Sequence, residues 1–248
     1  MRKFLLIFMI FTFMMPSILF STGKKKNELQ FAYYEDSISY RVATEILKEA
    51  YSRIGWEINI IQIDYTNRFK YADKIHFDGD LIRVNGIEKI KENLCKVDIP
   101  VTYIMVTVLS INKPLPLPSN WNSLKKYKVG VIKDAAFVST ARKSLKGVVE
   151  MHNFDGLVEL LIQKKIDAVV IPRAEAKEFQ NKYPNAHLKI SPQTLEVILL
   201  YHYLNKSHKQ LIPALEEVLR KMANNGTSMK IRKRVLKSLG EKKNDTKK

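Results

Sequence analysis

Two long apolar runs constrain this chain more than any other feature. Residues 99–111 contain no charged side chain, and residues 195–204 contain only Glu196. Both are rich in β-branched and aromatic residues, which favour a pleated, buried backbone. Around them the hydrophobic pattern alternates between periods of 2 and 3.6. Strands are expected at 29–34, 56–63, 80–84, 128–132, 148–151 and 166–171. Helices are expected at 38–54, 66–75, 87–94, 135–145, 154–161 and 174–183. Pro114, Pro116 and Pro118 divide the pattern into two βαβ-type units. After the second unit, Leu211, Leu215, Val218 and Met222 mark a helix closed by Asn225-Gly226, with Pro213 either kinking it or marking its start. Thr227 opens a last helix. The arrangement predicts an α/β protein of two lobes, each a mostly parallel sheet flanked by helices. The two apolar runs are the crossing strands between the lobes. Ligands of open α/β sheets bind at the carboxyl ends of the strands, so the cleft between the lobes is the expected site.

The N-terminus is of a different kind. Arg2 and Lys3 precede an apolar stretch to Met15, and Ser21-Thr22-Gly23 forms a small-residue exit, the pattern of a secretory signal peptide over residues 1–23. The expected mature protein is exported, periplasmic and monomeric; an uncleaved anchor or secretion is the alternative. Lobe 1 is expected over 24–112, lobe 2 over 113–197, and the return to lobe 1 with the C-terminal helices over 198–240. A basic, solvated tail completes the chain at 241–248. A single cysteine, Cys95, excludes an internal disulfide framework.

The net charge of +17 comes from 42 Lys and Arg against 25 Asp and Glu, and it is unevenly placed. From Arg220 to Lys248 there are eleven basic residues and two acids, Glu241 and Asp245. Nucleic-acid binding calls for basic residues interleaved with aromatics, and the stretch from Glu241 onward has no aromatic. Nucleic acid is therefore not an expected partner, although the basic end could meet an anionic envelope surface. The five histidines show no metal-ligand spacing, and no nucleophile elbow or glycine-rich phosphate loop occurs. Neither catalysis nor a cofactor or metal is expected; a secreted enzyme on this fold is the third-ranked reading.

Three segments carry a resemblance. Lys128-Val129-Gly130-Val131 opens the second unit. The stretch from Asn153 to Val170 combines a helix, a short turn and the strand Ile166-Asp167-Ala168-Val169-Val170. Asn225-Gly226-Thr227-Ser228-Met229-Lys230-Ile231 forms a joint near the C-terminus. In order and spacing, residues 29–239 resemble the family-3 periplasmic solute-binding proteins, the type II periplasmic-binding fold of amino-acid importers. The resemblance implies an exported, non-catalytic protein that closes two lobes over a small solute and delivers it to an ABC permease. A solitary sensor or a cationic envelope-binding protein of the same fold is the alternative.

The family's ligand chemistry is altered here. Its carboxylate-clamping arginine corresponds to Lys89 in Glu88-Lys89, a point charge without the bidentate fork. The aspartate that holds the ligand ammonium corresponds to Pro172, with Arg173 beside it. The small residues that open the helix after the Lys128 strand are replaced by Asp134-Ala135-Ala136-Phe137. The expected ligand-binding residues are therefore Tyr33, Tyr34, Arg68, Arg83, Phe137 and Arg173, and three arginines suit a polar, anionic solute. Strand alternation sets Asp80 on the opposite face from Arg83, which leaves Glu88 as the expected competitor for that guanidinium.

Overall fold

The computed structural model describes residues 27–33, 37–63, 77–115, 120–133, 135 and 137–245, with side chains up to Ser238. The expected signal peptide at 1–23, the expected helix at 66–75, and residues Tyr34 and Arg68 lie outside the described residues.

Lobe 1 begins with β1 (Glu28–Tyr33), α1 (Ile38–Arg53), β2 (Glu57–Gln62) and β3 (Gly79–Val84). Helix α1 starts where Ser37, in extended conformation, accepts a hydrogen bond from the Tyr40 amide. Its stripe Ile38, Val42, Ile46 and Ala50 is buried against the sheet. β1 pairs in parallel with β2 and with β3.

β4 (Leu94–Ile111) is one strand of 18 residues that runs through both lobes. β9 (Glu196–Asn205) accompanies it antiparallel, from Leu94↔Asn205 to Val106↔Glu196, and also pairs with β3. From Val106 onward the other edge of β4 pairs with β7 (Ala168–Pro172) and then with β8 (Leu188–Ile190). Lobe 2 adds β5 (Val129–Ile132), α2 (Val138–Ser144), β6 (Val149–Met151), α3 (Phe154–Ile162) and α4 (Arg173–Lys182). β5 pairs in parallel with β6 and β7. The result is a continuous nine-stranded mixed sheet in the order β2-β1-β3-β9-β4-β7-β5-β6, with β8 on β4. Each lobe keeps its parallel core, and the antiparallel β4–β9 pair joins them. The chain ends with α5 (Ile212–Asn224) and α6 (Thr227–Asp245).

Local differences from the expectations have local causes. The helix expected at 87–94 is only a 3₁₀ turn, Ile87–Lys89, because Leu94 and Val97 are buried and the backbone from Leu94 on is already paired to β9. Pro100, which cannot donate to a ladder, sits where the β4–β9 register shifts. Pro213 lies in the first turn of α5, so it marks the start of that helix and does not kink it. Gly226, at φ 78°, makes the joint between α5 and α6, and the Asn225 side chain accepts from the Thr227 amide at 3.0 Å. α6 continues as helix to Asp245, into the stretch expected as tail, which is rich in the helix-favouring residues Lys and Glu.

One large apolar cluster sits beneath α1, α5 and α6 in lobe 1, and two smaller clusters lie on the two faces of the lobe 2 sheet. Asp167 of the Ile166–Val170 motif has a structural task. Its carboxylate accepts from the Lys128 amide at 2.7 Å while its own amide donates to the Lys128 carbonyl, which clamps the starts of β5 and β7 together.

Candidate functional site

Helices α1 and α4 both begin at the level where β4 leaves lobe 1, because each follows a strand whose carboxyl end points there. Between them and α6 lies a pocket of about 420 Å³. Lobe 1 contributes Ile38 and Ser39 from the start of α1, and Met229, Arg232, Lys233 and Leu236 from α6. Lobe 2 contributes Pro172, Arg173 and Glu175, together with Ala174, Lys177, Glu178 and Asn181 of α4. Tyr103, Ile104 and Met105 of the crossing strand form the floor. The two sets from α6 and α4 each follow the i, i+3, i+4, i+7 spacing of a single helix face. Thus one face from each lobe looks across the gap. The wall carries four cationic side chains and two acidic ones.

Arg173 lies at this pocket, but its guanidinium turns into lobe 2. Its Nη2 lies 3.0, 2.9 and 2.9 Å from the carbonyls of Ser191, Pro192 and Gln193, and 3.3 Å from Thr107 Oγ1. Its Nε is buried with no hydrogen-bond partner among the described residues. Arg173 therefore fastens the start of α4 to the β8–β9 connection. Arg232 is fastened in a similar way: its Nη1 donates to Thr102 Oγ1 at 2.9 Å and to the Tyr103 carbonyl at 3.1 Å. Its guanidinium lies 4.2 Å from the centre of the Tyr103 ring. The C-terminal helix is thereby tied to the crossing strand.

Arg83 takes Asp80, the partner that strand alternation disfavoured. The register of β3 against β9 shifts between Asp80 and Arg83, and this irregularity brings the two onto one side. Arg83 Nε donates to Asp80 Oδ2 at 3.0 Å, and Lys91 Nζ reaches the same oxygen at 3.0 Å. Glu88, the expected competitor, instead accepts from the Tyr203 hydroxyl at 3.0 Å. Burial alone would raise the Asp80 carboxyl, but Arg83 and Lys91 outweigh it and hold the group below the usual carboxylate range. Arg83 Nη1 also lies 3.4 Å from the Tyr40 hydroxyl, and Tyr40 stacks on Tyr33 with ring centres 5.7 Å apart. Tyr33 and Arg83 are thus linked through Tyr40, and the Tyr33 hydroxyl donates to Gln62 Oε1 at 3.0 Å. Tyr33 opens on a separate depression between α1 and α6.

Phe137 is 3 % exposed and packs against Trp121 in the lobe 2 core. Of the four expected residues that are described, Tyr33, Arg83, Phe137 and Arg173, it is Arg173 that lines the interlobe pocket. Tyr40, Lys177, Arg232 and Lys233 were not anticipated; the helical periodicity of residues 229–236 was the available signal. Among the described residues no group of three His, Cys, Asp or Glu side chains could hold a metal ion, and no helix is long and apolar enough to cross a membrane.

With this geometry established, the comparisons with known proteins identify the architecture. No family model matches the chain. The ligand-binding core of GluR0, solved with L-glutamate, superposes with a TM-score of 0.69 at 15% identity, covering 86% of this chain and 100% of that one. The amino acid ABC transporter substrate-binding protein AbpA of Streptococcus pneumoniae, bound to L-arginine, gives 0.62 at 18% identity over 86% and 95%. The periplasmic VFT2 domain of Bordetella pertussis BvgS gives 0.63 at 16% over 84% and 92%. An uncharacterized protein of Shewanella oneidensis is 22% identical over 220 residues, 85% of this chain and 83% of that protein. The chain has the two-lobed type II periplasmic-binding fold.

Proposed function

We propose that this protein is an exported, non-catalytic binding protein that holds a small anionic solute between its two lobes and delivers it to an ABC permease. The observation that carries the reading is the pocket of about 420 Å³, walled by α6 of lobe 1 and α4 of lobe 2 over the crossing strand. A solute touching both walls favours the closed arrangement, whereas one held by a single lobe has no leverage on closure. The excess of cationic over acidic side chains on that wall favours an anion. Solved proteins of the same fold include one bound to L-glutamate, an amino acid ABC transporter substrate-binding protein bound to L-arginine and a periplasmic domain, which agrees with binding, export and transport. The basic, apolar start of residues 1–23 supplies the export signal.

The test is a thermal-shift and calorimetric comparison on the purified protein, with glutarate and phenylacetate as anions against leucine and arginine. Binding to the native state raises its apparent stability. The reading expects at least one anion to raise Tm and to release heat on binding. Micromolar binding of leucine or arginine, with no response to either anion, would overturn it.

A further inference from the structure

The interlobe pocket does not have the lining of a purely polar site. Five large apolar side chains stand exposed among the described residues, and two of them, Met229 at 44 % and Leu236 at 36 %, line this one pocket. They lie one above the other on α6, with Ile104 and Met105 of the crossing strand behind them and Ala174 opposite on α4. Exposed apolar side chains gathered on the wall of a concave site beside charged groups suit an apolar body.

The charges are placed to match. Arg173 and Arg232 spend hydrogen bonds on backbone carbonyls and on threonine hydroxyls. Lys177 and Lys233 differ from them: each is exposed on a pocket-lining helix face, one per lobe, and neither has an ion pair among the described residues. An ammonium is a compact charge on a flexible stem and can follow a carboxylate as the lobes approach.

From this arrangement we infer that the solute is a monocarboxylate with an apolar body, such as an arylacetate or a branched-chain acid lacking an amino group. Its carboxylate meets Lys177 and Lys233 from opposite lobes, and its apolar part covers Met229 and Leu236. The inference rests on the solute-binding reading and narrows its ligand class. A dicarboxylate would place its second charge against the apolar wall. An amino acid would bring an ammonium to a wall where cations outnumber acids.

The experiment is calorimetry on the purified protein with phenylacetate, glutarate and leucine as probes. Phenylacetate is expected to bind at least tenfold more tightly than either of the others. The variant Met229→Ser/Leu236→Ser, whose changes lie on exposed positions, is expected to lower the preference for phenylacetate over glutarate about tenfold. Lys177→Met/Lys233→Met is expected to weaken phenylacetate about tenfold or more. Glutarate binding as tightly as phenylacetate would overturn this inference while leaving the anion-binding reading standing. Leucine binding alone, or no binding of any probe at millimolar concentration, would overturn both. A phenylacetate preference that survives the double serine change would overturn the assignment to this pocket.

Discussion

A titration buried far from the pocket gives a quantitative check on how lobe 1 is built. His202 lies on β9 beneath α1 and is completely buried. Its Nδ1 lies 2.9 Å from the Leu81 carbonyl, and its Nε2 lies 2.8 Å from the Tyr51 hydroxyl. The carbonyl can only accept, so Nδ1 carries the proton and Nε2 accepts from Tyr51 in the neutral ring. Burial pushes the imidazole down from 6.5 to about 4, against the weaker pull of the Leu81 and Asp80 backbone. Because the folded value is depressed, the unfolded chain takes up a proton before the native protein does. The stability tied to the neutral ring is complete above about pH 6.5, is lost as pH falls, and is gone by about pH 4. At about 1.4 kcal/mol per pH unit, this is a loss of about 3 kcal/mol. Urea unfolding at several values between about pH 7 and about pH 4 measures it, with Tyr51→Phe/His202→Leu as the reference. That variant removes both side-chain polar groups, so no orphaned hydroxyl is left behind. Asp80 also loses stabilisation in acid, because its depressed carboxyl must be protonated, but it does so in both proteins and cancels. The stability difference between wild type and variant should move by about 3 kcal/mol toward the variant as pH falls through this window. Parallel pH profiles would show that His202 does not titrate between the two states and would refute the assignment.

Other perturbations read the remaining contacts. Arg173→Met should lower unfolding free energy by about 2 kcal/mol, since three carbonyls and a threonine hydroxyl lose a charged donor; urea denaturation checks this. Arg83→Lys should lower Tm by a few degrees, because the contacts to Asp80 and Tyr40 both use the guanidinium, and it should change phenylacetate affinity by less than threefold. A large loss of affinity with an unchanged Tm would return Arg83 to the ligand site. Gly79→Ala should cost about 3 kcal/mol or more, or prevent folding. A Cβ there would lie 2.0 Å from the Tyr203 carbonyl oxygen on the neighbouring strand, and the backbone pairing of β3 with β9 would have to part. An unchanged Tm for Gly79→Ala would mean that the two strands are not so closely apposed.

The fold was legible because its signals are local and repeated. The two apolar runs marked the crossing strands, the period of α1 located its buried stripe, and Asn225-Gly226-Thr227 located the joint between α5 and α6. The site was less legible because its contacts depend on register and distance in the chain. Arg83 and Asp80 should lie on opposite faces of a regular strand, and one irregularity against β9 brings them together. No local pattern reports such a shift. Arg173 was read as a cleft cation because it follows β7 directly. Its partners are carbonyls 18–20 residues away, in a connection whose path depends on β8, a three-residue strand too short to announce itself.

The same reasoning explains why the pocket joins the lobes mechanically as well as chemically. Arg232 grips the crossing strand at Thr102 and Tyr103, so the pocket face of α6 is held in register with the segment where β4 passes from one lobe to the other. On the far side, Arg173 holds the start of α4 to lobe 2 through the Ser191–Gln193 carbonyls. Each wall is thus fixed to its own lobe, and Lys177 and Lys233 project from those fixed walls. On the proposed binding reading, bending at the β4–β9 pair would change the distance between two prearranged faces and leave each face intact. On that reading a solute would gain most when it offers one group to each wall, and its affinity and the extent of closure would rise together.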